Sequence, residues 1–139
     1  MDTPSLAELK QLLACAAEMV ERSYAPYSRL RVGAALLSKD GRIFRGCNVE
    51  NAAYGLTICA EQAAVCRAVA EGVRDWRAIA IRAWNGEDWA DPCLPCGACR
   101  QVLAEFQPDL IIVTADPGRG GDPRVDHLDR LFTKPFRYR

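Results

Sequence analysis

An α/β fold layered around a mixed sheet is what this sequence predicts, and three observations carry it. Apolar residues recur at helical spacing from Ser5 to about Arg22. Two apolar-rich runs flank an Asp40-Gly41 pair. Beyond them, strand-like and helix-like segments alternate. A tight turn between two runs makes those strands antiparallel, whereas strands that return through helices run parallel, so the sheet is mixed.

Each element has its own signal. Leu6, Leu9, Leu12, Leu13, Ala16 and Val20 line one side of a helix behind a Thr3-Pro4-Ser5 start. Val32 to Leu37 and Arg42 to Cys47 form a hairpin around Ser38-Lys39-Asp40-Gly41. The alanine-rich stretch from Cys59 to Glu71, closed by Gly72, reads as a helix. Ala78 to Ala83 is a third strand, Ala98 to Phe106 a helix stopped by Pro108, and Leu110 to Thr114 a fourth strand. Asp116 to Pro123, with its glycines and prolines, reads as a surface loop before a last short helix around Val125 to Phe132.

At 139 residues the chain has the size of one domain, 1–139, with no internal repeat or low-complexity linker. Eighteen basic residues balance eighteen acidic ones. Without a positive field to hold a polyanion, nucleic acid is not an expected partner. The start Met1-Asp2-Thr3-Pro4-Ser5 has no basic leader, and no apolar run is long enough to cross a bilayer, so a cytoplasmic location and no membrane contact are expected. Seven cysteines, an odd number, are spaced more like metal ligands than like a disulfide framework. Cys15, Cys47 and Cys66 sit among apolar or small neighbours and read as packing residues. Trp76, Trp84 and Trp89 read as core or interface residues, and His127 as a surface or interface residue of the last helix.

The chemistry concentrates in Cys59-Ala60-Glu61 and Pro95-Cys96-Gly97-Ala98-Cys99. Three thiolates can hold a zinc ion and leave its fourth position to water, while a carboxylate two residues from one ligand can move protons. Cys59 and Glu61 lie about 200° apart on an ideal helix, so both address one pocket only if Cys59 sits at an irregular helix start. Cys96 and Cys99, at i and i+3 in a first turn, share a face. Both segments present helix N-termini, whose dipoles and free N–H groups favour thiolate and should lower the cysteine pKa values. Three thiolates on one Zn2+ carry a net negative charge, so donors such as Arg100 and backbone N–H groups are needed to drain charge from sulfur. A Cys-Ala-Glu followed later by Pro-Cys-x-x-Cys, with the Glu not a ligand, is also the signature of zinc deaminases acting on nucleobases.

The chain resembles the small, homotetrameric cytidine deaminases along nearly its whole length. The blocks that carry the resemblance are Tyr24-Ala25-Pro26-Tyr27-Ser28, Val32-Gly33-Ala34-Ala35-Leu36-Leu37, Gly46-Cys47-Asn48-Val49-Glu50-Asn51-Ala52, Thr57-Ile58-Cys59-Ala60-Glu61 and Pro95-Cys96-Gly97-Ala98-Cys99-Arg100-Gln101. The resemblance implies a three-layer α/β/α fold with a mixed five-stranded sheet and one Zn2+ per subunit on Cys59, Cys96 and Cys99, with Glu61 as proton shuttle. It implies that Asn48 and Glu50 hold the ribose 3′-hydroxyl, that the Ala60 backbone contacts the base, and that Tyr54 reaches a neighbouring subunit's site. The implied reaction is hydrolytic deamination of cytidine and deoxycytidine in pyrimidine salvage.

Four positions depart from the family pattern. Gln62 stands where Arg usually donates to zinc-bound sulfur, so its amide would donate without charge assistance. Leu30 replaces a common Phe near the pyrimidine, trading aromatic for aliphatic contact. Ala53 replaces a frequent Ser. The ending Leu131-Phe132-Thr133-Lys134-Pro135-Phe136 matches loosely, with Phe136 capping a neighbour's pocket or packing at an interface, and Arg137-Tyr138-Arg139 has no reading. Two alternatives stay open. Leu30 and Ala53 leave room for another aminated nucleoside or heterocycle, such as a blasticidin-like compound. Cys93 joined to Cys59, Cys96 and Cys99 would make a closed four-cysteine zinc or iron–sulfur module.

Overall fold

The computed structural model describes residues 3–138. Met1, Asp2 and Arg139, which belong to the start and tail read above, lie outside the described residues. The elements are α1 (Leu6–Val20), β1 (Arg31–Ser38), β2 (Ile43–Cys47), α2 (Ala60–Ala70), β3 (Trp76–Trp84), α3 (Gly97–Phe106), β4 (Ile111–Asp116), β5 (Asp122–His127) and α4 (Leu128–Leu131). They build one five-stranded sheet in the order β2-β1-β3-β4-β5. Only β3 and β4 pair in parallel; the other neighbours are antiparallel.

Local chemistry sets the boundaries. Ser5 caps α1 through a reciprocal pair with Glu8: the Glu8 N–H donates to Ser5 Oγ (3.2 Å) and the Ser5 N–H to Glu8 Oε1 (2.9 Å). The β1–β2 turn needs Gly41, whose φ is +92°. Gly72 (φ +81°) ends α2 in the same left-handed way.

Alternation along the strands divides the core in two. Ala35 and Leu37 of β1, Ala78 and Ala80 of β3, and Ile111 and Val113 of β4 face α1. Ala34, Leu36, Ile79, Ile81 and Ile112 face α2, α3 and α4. Three layers result. Each side has one glycine where helix and strand backbones meet. A Cβ on Gly33 would lie 2.0 Å from the Ala16 carbonyl oxygen, and one on Gly46 would lie 2.5 Å from both the Ala60 carbonyl and the Ala64 nitrogen.

Two expectations are corrected. The last helix does not begin near Val125: Asp122 to His127 form β5, antiparallel on β4, and the helix covers only Leu128–Leu131. Polar residues and Pro123 hide this strand in the sequence, but an edge strand needs backbone pairing on one side only. His127 therefore ends a strand, exposed, rather than lying within a helix. Cys66 is exposed, so it is not a packing residue, whereas Cys15 is buried. Trp76 fills the core beside Phe106, and Trp89 stays 39% exposed against Trp84. No helix among the described residues is long and apolar enough to cross a membrane.

Candidate active site

Two helix starts converge on one point. Cys59 is the N-cap of α2 and Cys96 the N-cap of α3, both with extended backbone, so each projects its sulfur ahead of its helix. Cys99 lies one turn into α3 and is fully buried. The three sulfurs lie within 4.8 Å of one another, and among the described residues no other group of three or more Cys, His, Asp or Glu ligand atoms gathers this way. Sulfurs sharing one tetrahedral zinc at bonds of about 2.3 Å stand roughly 3.8 Å apart, so small side-chain movements bring the three onto one ion. The donor set fits zinc.

Glu61 is 5% exposed. Burial pushes its carboxyl up, against its own amide N–H and the Cys99 thiol, which pull it down. Cys59 and Cys99 are also pushed up by burial, with the Glu61 charge adding. Cys96 alone ends below its ordinary value. Burial raises it too, but hydrogen bonds from the Cys99 amide, the Cys99 thiol and the Ala98 amide outweigh that. The helix-start argument for thiolates thus holds at Cys96 only, because desolvation wins at the two deeper positions until a cation reverses it.

The surrounding donors are divided unequally. Gln62 Nε2 points to Cys99 Sγ at 3.8 Å. Arg100 does not serve the sulfurs: its Nε donates to the Pro95 carbonyl (2.7 Å) and its NH1 to the Leu131 carbonyl (2.9 Å). It braces the turn before Cys96 from behind. Arg82 pairs with Asp91 at 2.7 Å and lies 3.8 Å from the Trp89 ring, which holds the segment leading to that turn. Cys93 stands outside the three-sulfur group and packs against the core, where burial, then the charges of Glu61, Asp91 and Cys96, push its thiol up to about 12.

A second cluster adjoins the sulfurs. Val49 and Ile58 exchange backbone hydrogen bonds of 2.9 Å in an antiparallel bridge, which runs Asn48 opposite Cys59 and Glu50 opposite Thr57. Tyr24 bridges the other side of Val49. Asn48 is 7% exposed. Its Oδ1 accepts from Ser23 Oγ and from the Val32 N–H (2.9 Å), and its Nδ2 donates to the Leu30 carbonyl (2.8 Å). One amide N–H remains for a ligand. Glu50 Oε1 accepts from the Tyr27 and Ser28 amides (3.0 and 3.1 Å), and Oε2 accepts from Ser28 Oγ. The Ser28 hydroxyl and amide, then the Tyr27 amide, hold the Glu50 carboxyl below its ordinary range, against burial. Tyr27, Ser28, Glu50, Asn51, Tyr54 and Thr57 line an open cleft of about 380 Å³.

The structure thus gathers Cys59, Ala60, Glu61, Gln62, Cys96 and Cys99 in one group and Leu30, Asn48, Glu50 and Tyr54 around the other. Leu30 is 38% exposed and Tyr54 75% exposed, its ring edge-on to Tyr27 at 6.3 Å. Phe136 joins neither. It is 71% exposed, tied by its backbone to the Gln101 side chain of α3. Sequence reasoning assigned nothing to Ser23, Ser28 or Gln101. Ser28 and Gln101 stood inside the quoted blocks, yet only long-range contacts reveal what a hydroxyl or an amide bonds.

A mixed sheet carrying three converging thiols and a buried carboxylate at two helix starts defines a metal-dependent hydrolytic centre. Residues 6–115 match the family described as cytidine and deoxycytidylate deaminase zinc-binding region, and the chain belongs to that family. A cytidine deaminase of Sporosarcina psychrophila is 50% identical over 99 residues, covering 71% of this chain and 70% of that protein. One from Mycobacterium tuberculosis strain H37Rv is 44% identical over 113 residues, 78% of this chain and 82% of the relative. The crystal structure of cytidine deaminase from Burkholderia pseudomallei superposes with a TM-score of 0.81 at 43% identity, over 91% of this chain and 98% of that one.

Proposed function

We infer that this chain is a zinc-dependent cytidine deaminase that hydrolyses cytidine and deoxycytidine to uridine and deoxyuridine and releases ammonia. One observation carries the reading: the three sulfurs within 4.8 Å, with Glu61 buried two residues from Cys59. Bound among those sulfurs, zinc supplies the Lewis acidity that makes water a nucleophile near neutral pH. Glu61 does the proton work. Its buried carboxylate takes a proton from the attacking water and gives it to the pyrimidine ring nitrogen, then takes the proton of the newly added hydroxyl and passes it to the departing amine. Water adds at the carbon that loses nitrogen, so ammonia and a carbonyl balance the step.

The Ala60 backbone contacts the base, with Leu30 as its aliphatic wall. Asn48 and Glu50 hold the sugar, each through the one hydrogen-bonding position its neighbours leave. The whole of 1–139 works as one domain in pyrimidine salvage in the cytoplasm. It assembles as a homotetramer in which Tyr54 and Phe136 reach neighbouring sites. The support for assembly is that both side chains are large, apolar in part and uncovered within the chain.

The test is Glu61→Ala, with zinc measured beside ammonia release from cytidine, deoxycytidine, cytosine, adenosine and a blasticidin-like compound. Zinc should stay bound while turnover falls by roughly 10²- to 10⁴-fold. Near-parental turnover would remove Glu61 as shuttle, and a parental enzyme that prefers another compound would move the substrate.

A further inference from the structure

The Ser28 hydroxyl is shared between two groups that the proposed function uses separately. It donates to Glu50 Oε2 and accepts the Leu30 N–H at 3.0 Å, which uses its one donor and one of its acceptor positions. The Leu30 carbonyl in turn accepts from Asn48 Nδ2 at 2.8 Å. Both polar groups of the Leu30 backbone are thus held by the sugar-side residues, directly by Asn48 and through one hydroxyl by Glu50. Between Ser28 and Leu30, Arg29 sits at φ +63° with its N–H on the Ala25 carbonyl (3.1 Å). A bulky residue keeps this left-handed backbone only where its surroundings over-determine it. The hydrogen bonds on both sides of Arg29 do so.

We propose that Ser28 is a positioning residue that couples sugar recognition to the wall of the base pocket: its hydroxyl aims the Glu50 carboxylate and sets the depth of Leu30 in one act. The proposal rests on the reading that Asn48 and Glu50 hold the sugar of a nucleoside. Loss of the hydroxyl frees one Glu50 oxygen to rotate and leaves the Leu30 N–H to solvent. Nucleoside binding then weakens at both ends, while the proton chemistry of Glu61 is untouched.

The zinc-loaded enzyme with Ser28→Ala is compared with Ser28→Thr, which keeps a hydroxyl, and with Glu50→Ala. In Ser28→Ala, KM for cytidine should rise roughly tenfold, the lower end for a lost hydrogen bond to a charged group. Its kcat and zinc content should change little, and the Leu30 amide should lose hydrogen-exchange protection. Ser28→Thr should restore all of these. Because Ser28 acts in part through Glu50, the double variant should bind cytidine more weakly than Glu50→Ala but by less than the two single effects combined. Parental KM in Ser28→Ala beside a raised KM in Glu50→Ala would overturn the proposal and leave the sugar reading standing. Fully additive effects in the double variant would overturn it as well. Parental KM in Glu50→Ala would remove the sugar reading itself. If Ser28→Ala does not fold, parental Leu30 protection in a folded Ser28→Cys variant, whose thiol is a weak donor and acceptor, would overturn the coupling.

Discussion

The two faces of the sheet use the same packing device for different ends. Against α1, Gly33 lets the strand backbone meet the Ala16 carbonyl, and what surrounds it is apolar: Leu9, Leu12, Leu13, Ala35, Ala78 and Val113. Against α2, Gly46 does the same beneath Ala60 and Ala64, but the helix it seats begins with Cys59 and carries Glu61 in its first turn. Close backbone contact on the first face contributes cohesion alone. On the second it fixes where Cys59 and Glu61 stand, because a helix pressed against a strand at its start cannot slide or tilt there. α3 also has a cysteine, Cys96, at its N-cap, so Gln62 and Cys99, each three residues past a capping cysteine, occupy matching places and meet.

The comparison breaks most visibly through the glycines. Gly33→Ala and Gly46→Ala each force a methyl into backbone atoms and should destabilise by about 1–3 kcal/mol, seen as a lowered melting temperature. Only Gly46→Ala should also lower zinc content and turnover per folded molecule. Equal catalytic loss at Gly33 would end the division between faces. A smaller effect is expected at Gln62→Leu, which keeps the helix start and removes the donor to Cys99. Zinc affinity by chelator competition should fall about tenfold, within the range for lost partners of metal ligands. Beside the helix starts, Glu50 supports the loop at Tyr27 and Ser28 as a carboxylate. Its folded pKa lies below the ordinary value of 4.5, so this stabilisation is present above 4.5 and disappears as pH falls through the lowered folded value. The melting-temperature gap between the parent and Glu50→Ala should therefore be widest near neutral pH and close in acid. The smallest effect belongs to Cys93→Ser, which should keep parental zinc content and activity, since that thiol stands outside the three-sulfur group.

Much of this was legible in the order of residues. The Thr3-Pro4-Ser5 start, the Asp40-Gly41 turn and the alanine-rich run after Cys59 act over a few positions, and the elements they mark appeared within one or two residues of their expected ends. The three cysteines were legible because two short spacings constrain their geometry. β5 was not, since its partner supplies the pairing and its own residues are mostly polar. Arg100 read as a donor to sulfur because it follows Cys99, yet two carbonyls from separate segments claim its guanidinium.

By itself the sequence determined the layered α/β class, the group of three cysteines with an acid beside it, and the family. These rest on local propensity and short spacings that survive in an extended chain. Only the tertiary structure decided which polar atoms are already committed: Asn48 and Glu50 each left with one free position, Gln62 on Cys99, Arg100 behind the turn and Ser28 between Glu50 and Leu30. Hydrogen bonds between distant residues depend on which surfaces the packed core brings together, and the order of residues alone does not state that.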